Sequence, residues 1–168
     1  LYAIDQYLLG GGKLFVFLDP VCVADEAQGM AEMTPYGRTR VASDMPELLS
    51  AWGVEYAPDK VVADLKAATL IRDQENPNVL SLTGENMSKD DIVTAMLEDI
   101  LMLNAGVFKD KTSDDLAFIP LITSSESAGM VSDMSVRFDR EMGVRQRITL
   151  DNEKKALAVR LSGKFKTA

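Results

Sequence analysis

A chain of 168 residues that is 46% hydrophobic and 26% charged, with eighteen basic against twenty-six acidic side chains and a net charge of −8, has the composition of one globular domain, large enough to bury roughly 70% of its unfolded surface. Its basic residues are scattered, and the densest group, residues 137–147, is interleaved with acids, so nucleic acid and anionic membrane surfaces are poor partners. With no histidine and a lone Cys22, Ser-His-Asp and Cys-His catalysis, a disulfide and the commonest zinc ligand all drop out.

Leu1, Ile4 and Leu8 lie one helical turn apart and predict a helix over residues 1–9, lying on a sheet. The chain opens at Leu1, inside this pattern and without a methionine; the expectation is a piece of something longer. No apolar run approaches the ~20 residues of a membrane span. Next comes GGGKLFVFLDP, residues 10–20, around which the fold is expected to be organised. Five consecutive apolar residues, Leu14 to Leu18, leave no polar face. That pattern predicts a strand over 13–19 covered on both sides, in the middle of a parallel sheet. Gly10 to Gly12 end the helix, and Asp19-Pro20 stop the strand because proline cannot donate to a ladder.

Residues 20–43 read as a long excursion, of the kind that is functional or mobile. SDMPELLSAWG predicts a second helix, with Asp44 as N-cap, Glu47 completing a capping box, Leu48, Leu49 and Trp52 as the apolar face, and Gly53 at C′. Strands are expected at 60–64 and 67–72, a turn at Asn76-Pro77-Asn78 and a further strand at 79–82. Ser88 and Asp91 then open a helix whose buried stripe is Ile92, Val93, Met96 and Leu97. It is read as ending near Leu97, although residues 100–108 fit a strand ending near Gly106 equally well. After a charged turn at 109–115, residues 117–125 form a strand in which Pro120 requires an edge or a bulge. Residues 126–136 are irregular around a short strand at 129–131, and 137–147 hold a short helix broken at Gly143. Residues 155–163 alternate as a half-buried strand, with Leu157, Val159 and Leu161 on one face. The sum is a single α/β domain, residues 1–168, with a mostly parallel central sheet flanked by helices.

Chemistry is sparse. GGGK at 10–13 precedes a strand and is followed by Leu14, the reverse of a phosphate-binding loop, and is a turn. Asp19 would stand at the carboxyl end of the central strand, where open α/β sheets bind ligands; the plainer reading is that Asp-Pro turns the chain. Ser124 and Ser125 would offer hydroxyls at the same edge, or cap their own strand. Those three are the tentative ligand-binding residues. Cys22, with Asp19, Asp25 and Glu26 nearby, is read as an inert thiol. Asp90-Asp91 and Asp114-Asp115 are read as dipole complements, not metal ligands. The nine methionines, Met96 and Met102 among them, read as filler.

Taken together and in order, IDQYLLGGGKLFVFLDP, SDMPELLSAWGVEYAPDKVVAD, FIPLITSS and LAVRLSGKFKTA resemble the gliding-motility GldG-like group, auxiliary extracytoplasmic components of an uncharacterised ABC transport system. The resemblance implies a flavodoxin-like or class I glutamine-amidotransferase-like fold outside the cytoplasmic membrane, with anchors beyond this fragment. It implies a permease and an ATPase of the same system as partners, with an envelope ligand as a further one. It supplies no catalytic residue, cofactor or metal, and gliding itself is not inherited. The expected function is a non-catalytic, partner- or ligand-binding domain of an ABC-transporter accessory protein. The alternatives are a sugar- or peptide-binding domain of amidotransferase-like fold, or a hydrolase using Cys22 or a carboxylate pair.

Overall fold

The computed structural model describes residues 1–22, 42–113, 115–138 and 144–168. Most of the expected excursion at 20–43, the break at Gly143 and Asp114 therefore lie outside the described residues. In chain order the elements are helix α1 (Tyr2–Leu9), helix α2 (Pro46–Ala51), and strands β1 (Val54–Tyr56), β2 (Lys60–Asp64), β3 (Ala68–Ile71), β4 (Gln74–Thr83), β5 (Asp99–Leu103), β6 (Phe108–Asp110), β7 (Leu116–Thr123) and β8 (Ala128–Ser132). Helix α3 (Asp133–Phe138) and strands β9 (Thr149–Leu150) and β10 (Ala156–Gly163) complete the set, with short 3-10 turns at Gly84–Asn86 and Val144–Arg147.

These strands form three sheets, in the orders β1-β6-β10-β7, β2-β8-β9 and β3-β4-β5, and every pairing is antiparallel. The expected α/β architecture, a mostly parallel sheet of flavodoxin-like or amidotransferase-like type, is therefore corrected to a mostly antiparallel β arrangement with few helices. The physical reason lies in residues 13–19. They are not a strand, and no described strand lies beside them. A continuous apolar run states that a segment can be covered on both faces; it does not state that this chain supplies the cover. The strand buried on both faces is instead β2, whose Val61, Val62 and Ala63 are fully buried.

Three apolar clusters follow from the layering. Val62, Leu80, Leu82, Leu121, Ile122 and Leu157 pack where the three sheets meet. On the other face of the first sheet, Leu48, Leu49, Trp52, Val54 and Leu116 gather α2, with Ile4 and Leu8 of α1 and Leu18 against them. Val21, Val61, Ala63 and Val131 fill the far side of the second sheet.

Other expectations divide along physical lines. The helix over 1–9 and the strands at 60–64, 67–72, 117–125, 129–131 and 155–163 are present within a few residues. Pro120 sits on β7, an edge strand, opposite a register shift in β10, which satisfies both conditions a strand proline imposes. That shift also moves Ala158 into the core with Leu157, so the simple Leu157, Val159, Leu161 face does not hold throughout. The turn expected at 76–78 is overturned. The chain reverses at Arg72-Asp73, with φ of 51° and 61°, as a two-residue hairpin requires, and Pro77 is buried in β4 where residues 77–79 bulge. Asp44 does not cap α2: the N-cap is Met45, without a side-chain hydrogen bond, and the Asp44 carboxylate accepts from Met45 N–H instead.

The helix expected after Ser88 does not form; residues 92–96 are turns. Side chains compete there with the helical ladder. Asp91 Oδ1 accepts from Val93 N–H at 2.9 Å, and Thr94 Oγ1 donates to Ser88 C=O at 2.8 Å. Asp91, read as a helix-dipole complement, is buried and pairs with Arg160 at 2.9 Å. Its expected buried stripe, Ile92, Val93, Met96 and Leu97, faces solvent.

Candidate functional site

The segment expected at the centre of the fold is exposed to solvent. Phe15 is 79% and Phe17 82% exposed, against 38% for Leu14 and for Val16. This period of two is that of an extended chain. Phe15 and Phe17 stand on the same side, their rings edge-to-face at 4.8 Å. Leu18 alone turns into the cluster around Trp52.

Both ends of the segment are tied. Upstream, Gly11 N–H and Gly12 N–H donate to Leu8 C=O and Tyr7 C=O, each at 2.9 Å. Downstream, Asp19 and Ser43 clasp each other: Asp19 N–H donates to Ser43 Oγ at 2.7 Å and Ser43 N–H to Asp19 C=O at 2.9 Å. Between these anchors the backbone of residues 13–18 makes no hydrogen bond to any described residue. The result is an open, roughly 20 Å row of backbone donors and acceptors bearing aromatic side chains. Neighbouring α1 adds exposed Leu1, Tyr2, Tyr7 and Leu9. Unpaired strand-like backbone with apolar side chains is a template for pairing with another strand. Lys13 and Pro20 flank it, the residue types that limit uncontrolled edge pairing.

Of the residues singled out by sequence, Asp19 anchors the end of this segment and Ser124 and Ser125 lie apart from it, and all three make hydrogen bonds within the chain. Asp19 turns the chain, its Oδ1 accepting from Val21 N–H at 2.9 Å. Ser124 is buried; its hydroxyl donates to Ser125 C=O at 3.0 Å and accepts from Lys155 N–H at 2.8 Å. Ser125 donates from both N–H and Oγ, at 2.7 Å each, to the carboxylate of Asp64. A groove at the carboxyl ends of parallel strands, the premise that grouped these three, has no counterpart in antiparallel sheets. Neither of the two surface cavities described below involves them. Cys22 is a half-buried free thiol.

Sequence reasoning missed Asp64, which is fully buried at the end of β2. Besides Ser125, it accepts from Lys66 N–H at 2.9 Å and Ala67 N–H at 3.2 Å, so one carboxylate joins the exit of β2 to the β7–β8 connection. The available signal was a charged residue closing a buried apolar run. Among the described residues no group of three or more potential metal ligands occurs, and no helix is long and apolar enough to cross a membrane.

The chain is sheet-rich, its sequence-predicted polar residues Asp19, Ser124 and Ser125 are held in internal hydrogen bonds, and an apolar segment with unpaired backbone is exposed. Comparison with known families supplies the class: a family model described as "ABC-type uncharacterized transport system" matches residues 1–168. The chain belongs to this family of ABC transport auxiliary components. The match is to the family as a whole and says nothing of gliding motility. No curated protein and no solved structure gave a match.

Proposed function

We propose that the chain is a non-catalytic docking domain of an ABC-transporter accessory protein, and that residues 13–18 accept a β-strand from another polypeptide of the same system, the candidate being the permease, whose segments reach the same side of the membrane. The observation that carries this reading is the coincidence of unpaired backbone and exposed Phe15 and Phe17 on one anchored segment. Main-chain pairing supplies affinity in such recognition, and alternate side chains supply specificity. Family membership supports the transporter context. The engagement of Asp64, Ser124 and Ser125 in internal hydrogen bonds supports the absence of a hydrolytic centre there. Placement on the extracytoplasmic face of the membrane is part of the proposal and rests on the resemblance described above; a reporter-enzyme fusion active only outside the cytoplasm tests it.

The docking reading is tested by co-expressing the protein with the permease and ATPase encoded beside it. In the purified complex the amides of residues 14–18 become protected from hydrogen exchange, whereas in the isolated chain they exchange freely. Phe15→Ser/Phe17→Ser abolishes co-purification. A complex that forms unchanged with this variant, or that leaves these amides unprotected, overturns the proposal.

A further inference from the structure

A second feature lies at the Trp52 cluster and involves none of the residues of the docking segment. A cavity of ≈ 200 Å³ opens between the end of α2, the β6–β7 connection and the residues after β10. Its lining includes Lys111, Lys164 and Lys166 together with Ser50, Ser113 and Trp52, and none of the described lining residues is acidic.

Local chain geometry brings the lysines together. Gly53 takes φ of +70° after α2, the left-handed conformation that ends a helix without a Cβ penalty. This allows Lys111 N–H to donate to Gly53 C=O at 2.8 Å; a Cβ at Gly53 would run into the Lys111 carbonyl. Asp110 Oδ1 accepts from Thr112 N–H at 2.9 Å and Thr112 Oγ1 at 2.7 Å, which fixes the turn carrying Lys111 and Ser113. Lys164 N–H donates to Asp115 C=O at 2.9 Å. Phe165 then packs edge-to-face on Trp52 at 5.4 Å, which leaves its neighbours Lys164 and Lys166 to line the cavity.

Three ammonium groups on a chain of net charge −8 would be expected to find carboxylates. None of these three has an ion pair or hydrogen bond with its side chain among the described residues. Asp44 and Glu55 line an adjoining cleft of ≈ 320 Å³, which shares Ser50, Gly53 and Lys111 with this cavity, and Glu55 is taken by Lys109 at 3.2 Å. The indole of Trp52 adds a second, independent observation. Trp52 is 6% exposed, and its Nε1–H is a buried donor with no partner among the described residues. Lysine is a donor only, so every charged group that lines the cavity is a donor. Its volume is about seven times the share of one water in the liquid, enough for a tetrahedral oxyanion and part of the group that carries it.

We infer that this cavity binds a phosphoryl group, the Lys111, Lys164 and Lys166 ammoniums neutralising a dianion that Ser50 and Ser113 help to orient. A dianion matches three cations better than a single carboxylate does. The phosphoryl group is that of a phosphate monoester, either a soluble one or the headgroup of phosphatidic acid in a membrane, since both present the same three terminal oxygens.

The chain contains one tryptophan, so its indole N–H resonance reports the site directly. The full chain is titrated with inorganic phosphate near neutral pH, chloride being lowered to hold ionic strength constant. A saturable shift of the indole resonance with a midpoint on the order of 1 mM is expected. Lys164→Gln/Lys166→Gln weakens it about tenfold, and adding Lys111→Gln removes saturation. The ligand-free spectra check folding. Should the triple variant unfold, the three single Lys→Gln variants are read instead, each weakening binding. Two further arms separate the sources. Saturation by glycerol 3-phosphate without sedimentation on phosphatidylcholine–phosphatidic acid vesicles assigns a soluble monoester, and lysine-dependent co-sedimentation assigns a headgroup. A response that never saturates and that chloride alone reproduces, or one unchanged in the lysine variants, overturns the inference.

Discussion

Replacing Phe15 and Phe17 together by alanine separates two views of the same eleven residues. Were residues 13–19 a central strand, each Phe→Ala change would cost about 3–5 kcal/mol, or about 6–10 for the pair. In the structure Phe15 is 79% and Phe17 82% exposed, so only about a fifth of the 1.5–3 kcal/mol available to a buried side chain is realised by each. Their mutual edge-to-face contact at 4.8 Å adds about 0.5 kcal/mol. The double variant is therefore expected to lose only about 1–2 kcal/mol of stability. Urea unfolding followed by fluorescence of Trp52, which is buried beside Leu18, measures this in the isolated chain. The same substitution should weaken partner binding far more. Covering the remaining four fifths of both rings contributes about 2–5 kcal/mol, which corresponds to a Kd raised by about 30-fold to several thousand-fold. A stability loss above about 4 kcal/mol in the isolated chain would refute the exposed placement, and the docking proposal with it.

Asp64→Ala strips four hydrogen bonds from a fully buried carboxylate, made by the backbone of Lys66, Ala67 and Ser125 and the Ser125 hydroxyl, and should lower stability by about 3–5 kcal/mol. Ser125→Ala, which removes only hydroxyl contacts, should cost about 1–2 kcal/mol; equal losses in urea unfolding would sink this account of the junction. The Asp110 carboxyl is held below the ordinary aspartate range by hydrogen bonds from Thr112, first from its hydroxyl and then from its N–H, against a smaller opposing effect of burial. A lowered folded-state value means the stabilisation is complete above the unfolded aspartate range and is lost as pH falls through the lowered one. Thr112→Val should move the Asp110 titration upward in a carboxyl-carbon NMR experiment; an unchanged titration contradicts the assignment.

Much of the local structure was legible because it depends on neighbours along the chain. The helix over residues 1–9 follows from Ile4 and Leu8, which pack on the Trp52 cluster, and Gly53 takes the left-handed C′ conformation its position suggested. Pro120 forecast an edge or a bulge, and both are present. The helix after Ser88 misled because its apolar period is real, while Asp91 and Thr94 bond local backbone and Arg160, distant in sequence, draws Asp91 aside. Of the candidate site residues, Asp19, Ser124 and Ser125 were found as polar groups at strand or segment ends, but their partners, Ser43, Lys155 and Asp64, come from other parts of the chain. The lysines of the basic cavity are separated by more than fifty residues between Lys111 and Lys164, and no spacing rule joins them.

By itself, then, the sequence determined where apolar runs and most strands lie, and excluded histidine-based chemistry, because those depend on residue type and short-range period. The tertiary structure alone decided that the strands pair antiparallel, that β2 and not residues 13–19 is covered on both faces, and which charges meet. Burial and pairing are set by what packs against a segment, and a one-dimensional pattern records how greasy a segment is, not who its neighbours are.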